Sequence, residues 1–257
     1  MALIREFTCD QMVVKVFDTR KEMGDAAGYD AGAYMKELLK SREYINVMFA
    51  AAPSQNETLA ALLAQEDLDW SRINAFHMDE YVGLDKDHPA GFRNFLNRSV
   101  FGLRQFRSIN LINGNAENPQ AEAERYSKLL EMYPLDVCLL GVGENGHIAF
   151  NDPPVADFND PVYVKVVELE DRCRKQQVND GCFEKLEQVP THALTVTIPG
   201  LTQATAMFCS VPAATKADAI NHMVHDEVST KCPATILRTH ACAKLYVDKA
   251  AGAFVIE

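Results

Sequence analysis

Residues 136–153 read DVCLLGVGENGHIAFNDP, and the change of character within this stretch decides the fold. The first part, 136–142 (DVCLLGV), is a short apolar run that closes on Gly141 and Val142. That is the pattern of a strand buried on both faces. The second part spaces Gly141, Gly143 and Gly146 so that the backbone can turn tightly and approach a ligand, then supplies His147 and further polar residues. A glycine-rich turn directly after a buried strand belongs to α/β sheets, in which ligands bind outside the carboxyl ends of the strands.

Outward from this stretch, similar apolar runs occupy 12–17, 45–50, 73–78, 162–168, 192–198, 205–211 and 243–248, with a weaker one near 108–112. Helical patterns lie between them at 19–40, 57–65, 89–101, 119–132 and 213–225. Thr19 with Glu22 has capping-box spacing, and Pro119 suits a first helical turn. Strand–helix alternation with near-continuous apolar strands predicts an α/β fold: a three-layer αβα, Rossmann-like arrangement with a mainly parallel sheet and helices on both faces. Without an internal repeat or a Gly/Ser/Pro linker, the expectation is a single domain over residues 1–257.

Bulk properties narrow the function. With 257 residues, 47% of them hydrophobic, one sizeable core can be buried. A net charge of −11 repels nucleic acid and anionic membranes, so neither is expected as a partner. An anionic ligand would then need a locally positive site. No apolar run approaches the roughly 20 residues of a spanning helix, and the opening residues MALIREFTCDQMVVKVF lack a signal-peptide core. Seven cysteines, an odd count without a CxxC pair, read as reduced thiols of a cytoplasmic protein, mostly buried. No metal site and no cofactor are expected. The oligomeric state stays open, a homo-oligomer included.

Three post-strand loops carry candidate chemistry. Residues 50–58 (AAAPSQNET) join a buried strand to a helix. Small residues, the Ser54 hydroxyl, Gln55 and free amides at a helix start suit a phosphate, although an ordinary helix cap would look the same. Residues 76–84 (FHMDEYVGL) place Asp79 and Glu80 at the end of an apolar strand. A carboxylate in a partly dry cleft can move protons, whereas a capping Asp and a solvated Glu are the plainer alternative. In residues 141–153, His147 is the side chain suited to proton exchange near neutrality, with Glu144, Asn145 and Asp152 close enough to orient it.

These loops resemble the glucosamine-6-phosphate deaminase (isomerase) family, which is related to the 6-phosphogluconolactonases. The resemblance runs from about residue 45 onward through MDEYVGL at 78–84 with His88-Pro89, LINGNA at 111–116, GENGHIAFNDP, VPTHALTV at 189–196 and NHM at 221–223. It implies an aldose–ketose isomerisation that releases ammonia from glucosamine 6-phosphate or galactosamine 6-phosphate, without a cofactor. By resemblance, Asp79 matches the base, with Glu80 beside it. His147 matches the residue that assists ring opening, supported by Asn145 and Asp152. Ser54, Gln55 and Gly146 fall in substrate-binding loops, and Lys216 matches a phosphate-binding lysine that composition alone would assign to the surface.

Departures from the family pattern are confined to the same places. Asn145 stands where the family has Asp, Asp152 where it has Glu, and Ala-Pro-Ser-Gln replaces the usual phosphate loop. The family's arginine stretch is replaced by residues 171–178 (DRCRKQQV), where Arg174 is the candidate. A 6-phosphogluconolactonase-type hydrolase is an alternative reading, although that family usually has Thr-Ala-Ser where Ile148-Ala149-Phe150 stands. A non-catalytic sugar-phosphate sensor is another.

Overall fold

The structure, a computed structural model, describes residues 2–256. In chain order it forms β1 (Leu3–Cys9), β2 (Met12–Phe17), α1 (Arg20–Leu39), β3 (Ile45–Phe49), α2 (Asn56–Leu63), β4 (Ile73–His77), β5 (Asp79–Tyr81), α3 (Phe92–Ser99) and β6 (Ser108–Asn110). It continues through α4 (Pro119–Met132), β7 (Val137–Leu140), β8 (Val164–Glu168), α5 (Asp171–Asn179), β9 (His192–Val196), α6 (Ile198–Thr202), β10 (Ala206–Val211), α7 (Ala217–His225) and β11 (Ala243–Asp248).

The apolar run that opens the decisive stretch becomes β7, near the middle of an eight-stranded sheet ordered β1-β2-β11-β10-β7-β3-β4-β6. β7 pairs in parallel with β3, Phe49 opposite Leu139, and with β10, Cys209 opposite Leu140. Among the described residues the one antiparallel pair in this sheet is β1 with β2. Helices cover both faces, as expected of the class.

Alternation along the strands builds two cores. Val47, Phe49, Val137, Leu139 and Phe208 point to the side holding α1, α2 and α3. Met48, Cys138, Leu140, Met207 and Cys209 point to the side holding α4 and α7. On the first side, Gly24 and Gly28 let α2 press onto α1, and Gly32 makes room for Gln65 just beyond α2. A Cβ at Gly28 would lie 2.5 Å from the Thr58 carbonyl oxygen, so only glycine permits this approach. The close packing fixes where the loop before α2 sits.

Several expectations need correction. The runs at 162–168 and 192–198 are strands, but outside the main sheet. As β8 and β9 they pair antiparallel, and β9 also pairs with β5, Asp79 opposite Thr195. The segment read as a loop after the third strand is therefore itself a short strand. The helix expected at 89–101 starts only at Phe92, and β1, α5 and α6 were not anticipated. Thr19 does cap α1, accepting from the Glu22 amide at 3.2 Å, and Pro119 opens α4.

Candidate active site

From β3 the chain steps outward one way to β4 and β6, and from β7 the other way to β10 and β11. The strand order thus reverses between β3 and β7, and a crevice must open beyond their carboxyl ends. A cavity of about 380 Å³ lies there, lined by Ser54 and Gln55 after β3, Asp79 after β4, Gly141, Gly143 and His147 after β7, and Lys216 after β10.

Asp79 and Glu80 part company because a strand sends successive side chains to opposite faces. Asp79 faces the cleft and is 8% exposed. Burial, and then the neighbouring Glu80 carboxylate, hold its pKa well above the usual carboxylate range. Glu80 does not line the cleft, contrary to expectation. It accepts hydrogen bonds from the amides of Phe92 at 3.1 Å and Arg93 at 3.0 Å, and so caps the first turn of α3. His77, two residues before Asp79, is fully buried and accepts from the Ile112 amide at 2.8 Å. Burial pushes its pKa down to about 4, which suits a neutral structural ring.

His147 comes from the turn after β7. Its ring lies flat on Gly143, where a Cβ would stand 2.2 Å from Cε1. Gly146 does not line the cleft. It adopts a left-handed φ of 82° and packs its α-carbon against Cys232, where a Cβ would meet Sγ at 2.5 Å. Its role is to make the turn that brings His147 forward.

The His147 Nδ1 atom sits 2.8 Å from Asp152 Oδ1 in the interior, which leaves Nε2 for the cleft. Asn145 and Asp152 stand behind the ring and do not line the cavity. Asn145 Nδ2 donates to Asp152 Oδ1 and to Glu170 Oε2, each at 2.9 Å, while its Oδ1 accepts from the His147 amide at 3.1 Å. Burial works to raise the Asp152 pKa, but the facing His147 ring and Asn145 amide outweigh it and hold the carboxylate low. Behind the His147 ring this chain therefore places one carboxylate and an amide anchored to Glu170. Cys173, on α5, lies buried beside this group.

The opposite wall is built for an anion. Gln55 Nε2 donates to Ser54 Oγ at 3.2 Å and to the Ser210 carbonyl at 3.1 Å, pinning the loop before α2 to β10. Arg20, the first residue of α1, bonds Glu57 at 2.8 Å and the Pro53 carbonyl, and its side chain reaches the cleft. Lys216 ends a 3₁₀ turn (Ala214–Lys216) that follows Ala213, held at a φ of 85° with its amide on Asp248. The lysine is only 6% exposed, against the surface position that composition alone suggests. Its ammonium has no hydrogen-bond or ion-pair partner among the described residues, and burial lowers its pKa. A cation buried at a cleft without a direct hydrogen-bond or ion-pair partner can accommodate an anion.

Arg174 does not join this wall. Its guanidinium donates to the carbonyls of Leu186 and Val189, both at 3.0 Å, and faces away from the cavity. The lining cations are Lys216, Arg20 and Arg98. Arg20 escaped sequence reasoning because nothing local to Thr19-Arg20 points toward residues 53–57. Gln176 and Gln177 of α5 also line the cleft, and Gln176 Oε1 accepts from the Glu144 amide at 2.9 Å. Their signal in the sequence is the polar run at 171–178, which holds both glutamines beside Arg172 and Arg174.

A Rossmann-like sheet with a partly dry carboxylate, an imidazole and a buried free ammonium at its switch point defines an α/β protein built to handle a small anionic ligand. Residues 18–247 match the family of glucosamine-6-phosphate isomerases/6-phosphogluconolactonase, and the chain belongs to that family. It is 34% identical over 226 residues to a glucosamine-6-phosphate deaminase of Exiguobacterium sp., covering 87% of each chain. It is 33% identical to one of Bacillus cereus, covering 93% of this chain and 88% of the other. The solved structure of a monomeric glucosamine-6-phosphate deaminase superposes with a TM-score of 0.86 at 26% identity, over 93% of this chain and 98% of that one. A 6-phosphogluconolactonase of Thermotoga maritima shares the fold, with a TM-score of 0.72 at 18% identity over 92% and 99% of the two chains.

Proposed function

We propose that this chain is an amino-sugar-phosphate deaminase that converts glucosamine 6-phosphate and water to fructose 6-phosphate and ammonia. The observation that carries the reading is the buried, unpartnered Lys216 ammonium across one cleft from the desolvated Asp79 and from His147. Lys216 and the loop after β3, held by Arg20, receive the phosphate. The His147 Nε2 atom relays the proton that moves from the anomeric hydroxyl to the ring oxygen as the sugar opens. Asp79, a base made stronger by desolvation, takes the proton from C2 and returns it to C1 of the resulting enolamine. The imine left at C2 is hydrolysed by water, which expels ammonia. Asn145, through the His147 amide, and Asp152, beside Nδ1, hold the ring in place.

Relatives above 30% identity are named for the deaminase, which supports this reading over lactone hydrolysis. Among the described residues no helix is long and apolar enough to cross a membrane. With a phosphorylated sugar as substrate and seven free cysteines, we infer a cytoplasmic setting. The test is ammonia and ketose 6-phosphate released from glucosamine 6-phosphate by the purified chain, with galactosamine 6-phosphate and 6-phosphogluconolactone in parallel. Turnover of the lactone alone supports a hydrolase, and binding without turnover supports a sensor; either overturns the proposal.

A further inference from the structure

Behind the cleft, on the side of the His147 ring away from the substrate, three different donor atoms converge. His147 Nδ1, a carboxylate oxygen of Asp152 and Cys173 Sγ all lie within 4.8 Å of one another. The three residues are 7%, 1% and 1% exposed. His147 Nδ1 approaches Asp152 Oδ1 closely, but the pair is not aligned as a hydrogen bond. Nδ1 and Asp152 Oδ2 are both buried, and neither makes a well-aligned hydrogen bond. Unsatisfied buried polar atoms are costly, and two of them aimed into one small space need an explanation.

We propose that His147, Asp152 and Cys173 bind one thiophilic divalent cation of the zinc type, and that its binding switches the enzyme off. One nitrogen, one oxygen and one sulfur donor form a ligand set suited to zinc, whereas magnesium and calcium favour oxygen alone. Tetrahedral zinc, with bonds of about 2.0–2.3 Å, separates its ligand atoms by about 3.3–3.8 Å, so the trio needs only a small adjustment. Among the described residues no other group of three histidine, cysteine or carboxylate side chains is arranged to hold an ion.

The effect on catalysis follows from proton accounting. The ion takes the lone pair of Nδ1, so the single proton of the neutral ring is fixed on Nε2. The cation also forms a bond to Cys173 sulfur, and the thiol proton leaves to solvent, one per ion bound. With Nε2 permanently protonated, His147 cannot accept a proton at the cleft. This second half rests on the role given to His147 above; the binding half does not.

The experiment therefore reads binding without substrate. Chelator-treated protein is titrated with Co²⁺, and then with Zn²⁺ as competitor. One equivalent of Co²⁺ should produce a near-ultraviolet thiolate-to-cobalt charge-transfer band that Zn²⁺ abolishes. The band should be lost in Cys173→Ser and in Cys173→Ala, two small replacements of which at least one should keep the fold. Asp152→Asn should weaken it. On glucosamine 6-phosphate, one equivalent of Zn²⁺ should lower wild-type turnover by about 10²-fold, the low end of what losing general acid–base assistance costs. Cys173→Ser should turn over normally with or without Zn²⁺. No band at one equivalent, or a band that persists in both Cys173 variants, overturns the metal site. A band in a protein that does not turn over glucosamine 6-phosphate leaves the site standing and removes the proposed function instead.

Discussion

Asp79 and Glu80 are adjacent in β5 yet serve opposite sides of it: Asp79 points into the cleft, and Glu80 takes the amides of Phe92 and Arg93 at the start of α3. Substitution should separate them cleanly. Asp79→Asn should lower kcat by about 10²–10⁴-fold with the fold intact. Glu80→Ala should lose about 1–2 kcal/mol of stability, as removing a helix cap does. Steady-state kinetics beside thermal melts of both variants check this. An Asp79→Asn enzyme that exchanges the C2 proton with solvent at the wild-type rate would assign the base elsewhere.

The raised pKa of Asp79 has two readable consequences. To act as the proposed base it must be ionised, so the acid limb of the kcat/KM profile should lie above the ordinary aspartate value of about 3.9. For stability the sign runs the other way from a salt-bridged carboxylate. A folded pKa above the unfolded one means that ionisation costs the folded state, and the cost grows as pH rises from about 4 toward the folded value. Asp79→Asn should therefore be more stable than wild type at neutral pH, with the difference vanishing at about pH 4 and below. Denaturant melts at several pH values measure it.

Lys216 carries the same tension with reversed charge. Its pKa is lowered by burial, so holding it charged costs stability at every pH below the unfolded lysine value of about 10.4. Lys216→Met should raise Tm at neutral pH, and the gap should narrow as pH approaches 10. The same variant should raise KM for the phosphorylated sugar by about 10–100-fold, the equivalent of a lost charged hydrogen bond. Turnover of the unphosphorylated sugar should barely change.

The two arginines can be told apart by the same pair of substrates. Arg20→Ala frees the Pro53 carbonyl and Glu57 at the rim of the cleft. It should raise KM for the phosphorylated sugar about tenfold, because the loop proposed to receive the phosphate loses its hold. Arg174→Ala leaves the Leu186 and Val189 carbonyls without their donor. It should cost about 1–3 kcal/mol of stability and leave KM unchanged. Equal KM effects from both would return Arg174 to the phosphate site.

Gly143→Ala tests how closely the ring must be placed. A Cβ there would overlap His147 at 2.2 Å, so the imidazole must move by about an ångström. A displacement of that size can cost about 10²-fold in kcat. Circular dichroism should show the fold retained while turnover falls.

The central strands were legible because their periodicity is simple. β3, β4, β7, β10 and β11 are short apolar runs, and the loops that follow them carry the site. Asp79, His147, Ser54, Gln55 and Lys216 do meet at one cleft. What sequence could not give was direction. Asp79 and Glu80 look alike in the chain, and only the pairing of β5 with β9 decides which one faces inward. Arg174 and Arg20 differ likewise in where their neighbours' carbonyls lie, a property of the assembled sheet. The Asn145–Glu170 link spans 25 residues and two elements, so no local pattern announces it.

The place of β7 between β3 and β10 also bears on how the protein is made. Val137–Leu140 finds its partner in β3 among residues already synthesised, but its other edge waits for Ala206–Val211. While the intervening residues emerge from the ribosome, an apolar strand at the heart of the future sheet keeps one edge unpaired. Unpaired apolar edges recruit other chains. The interval between synthesis of β7 and β10 is thus the stage at which a slow ribosome should favour aggregation, and chaperone capture should be concentrated there.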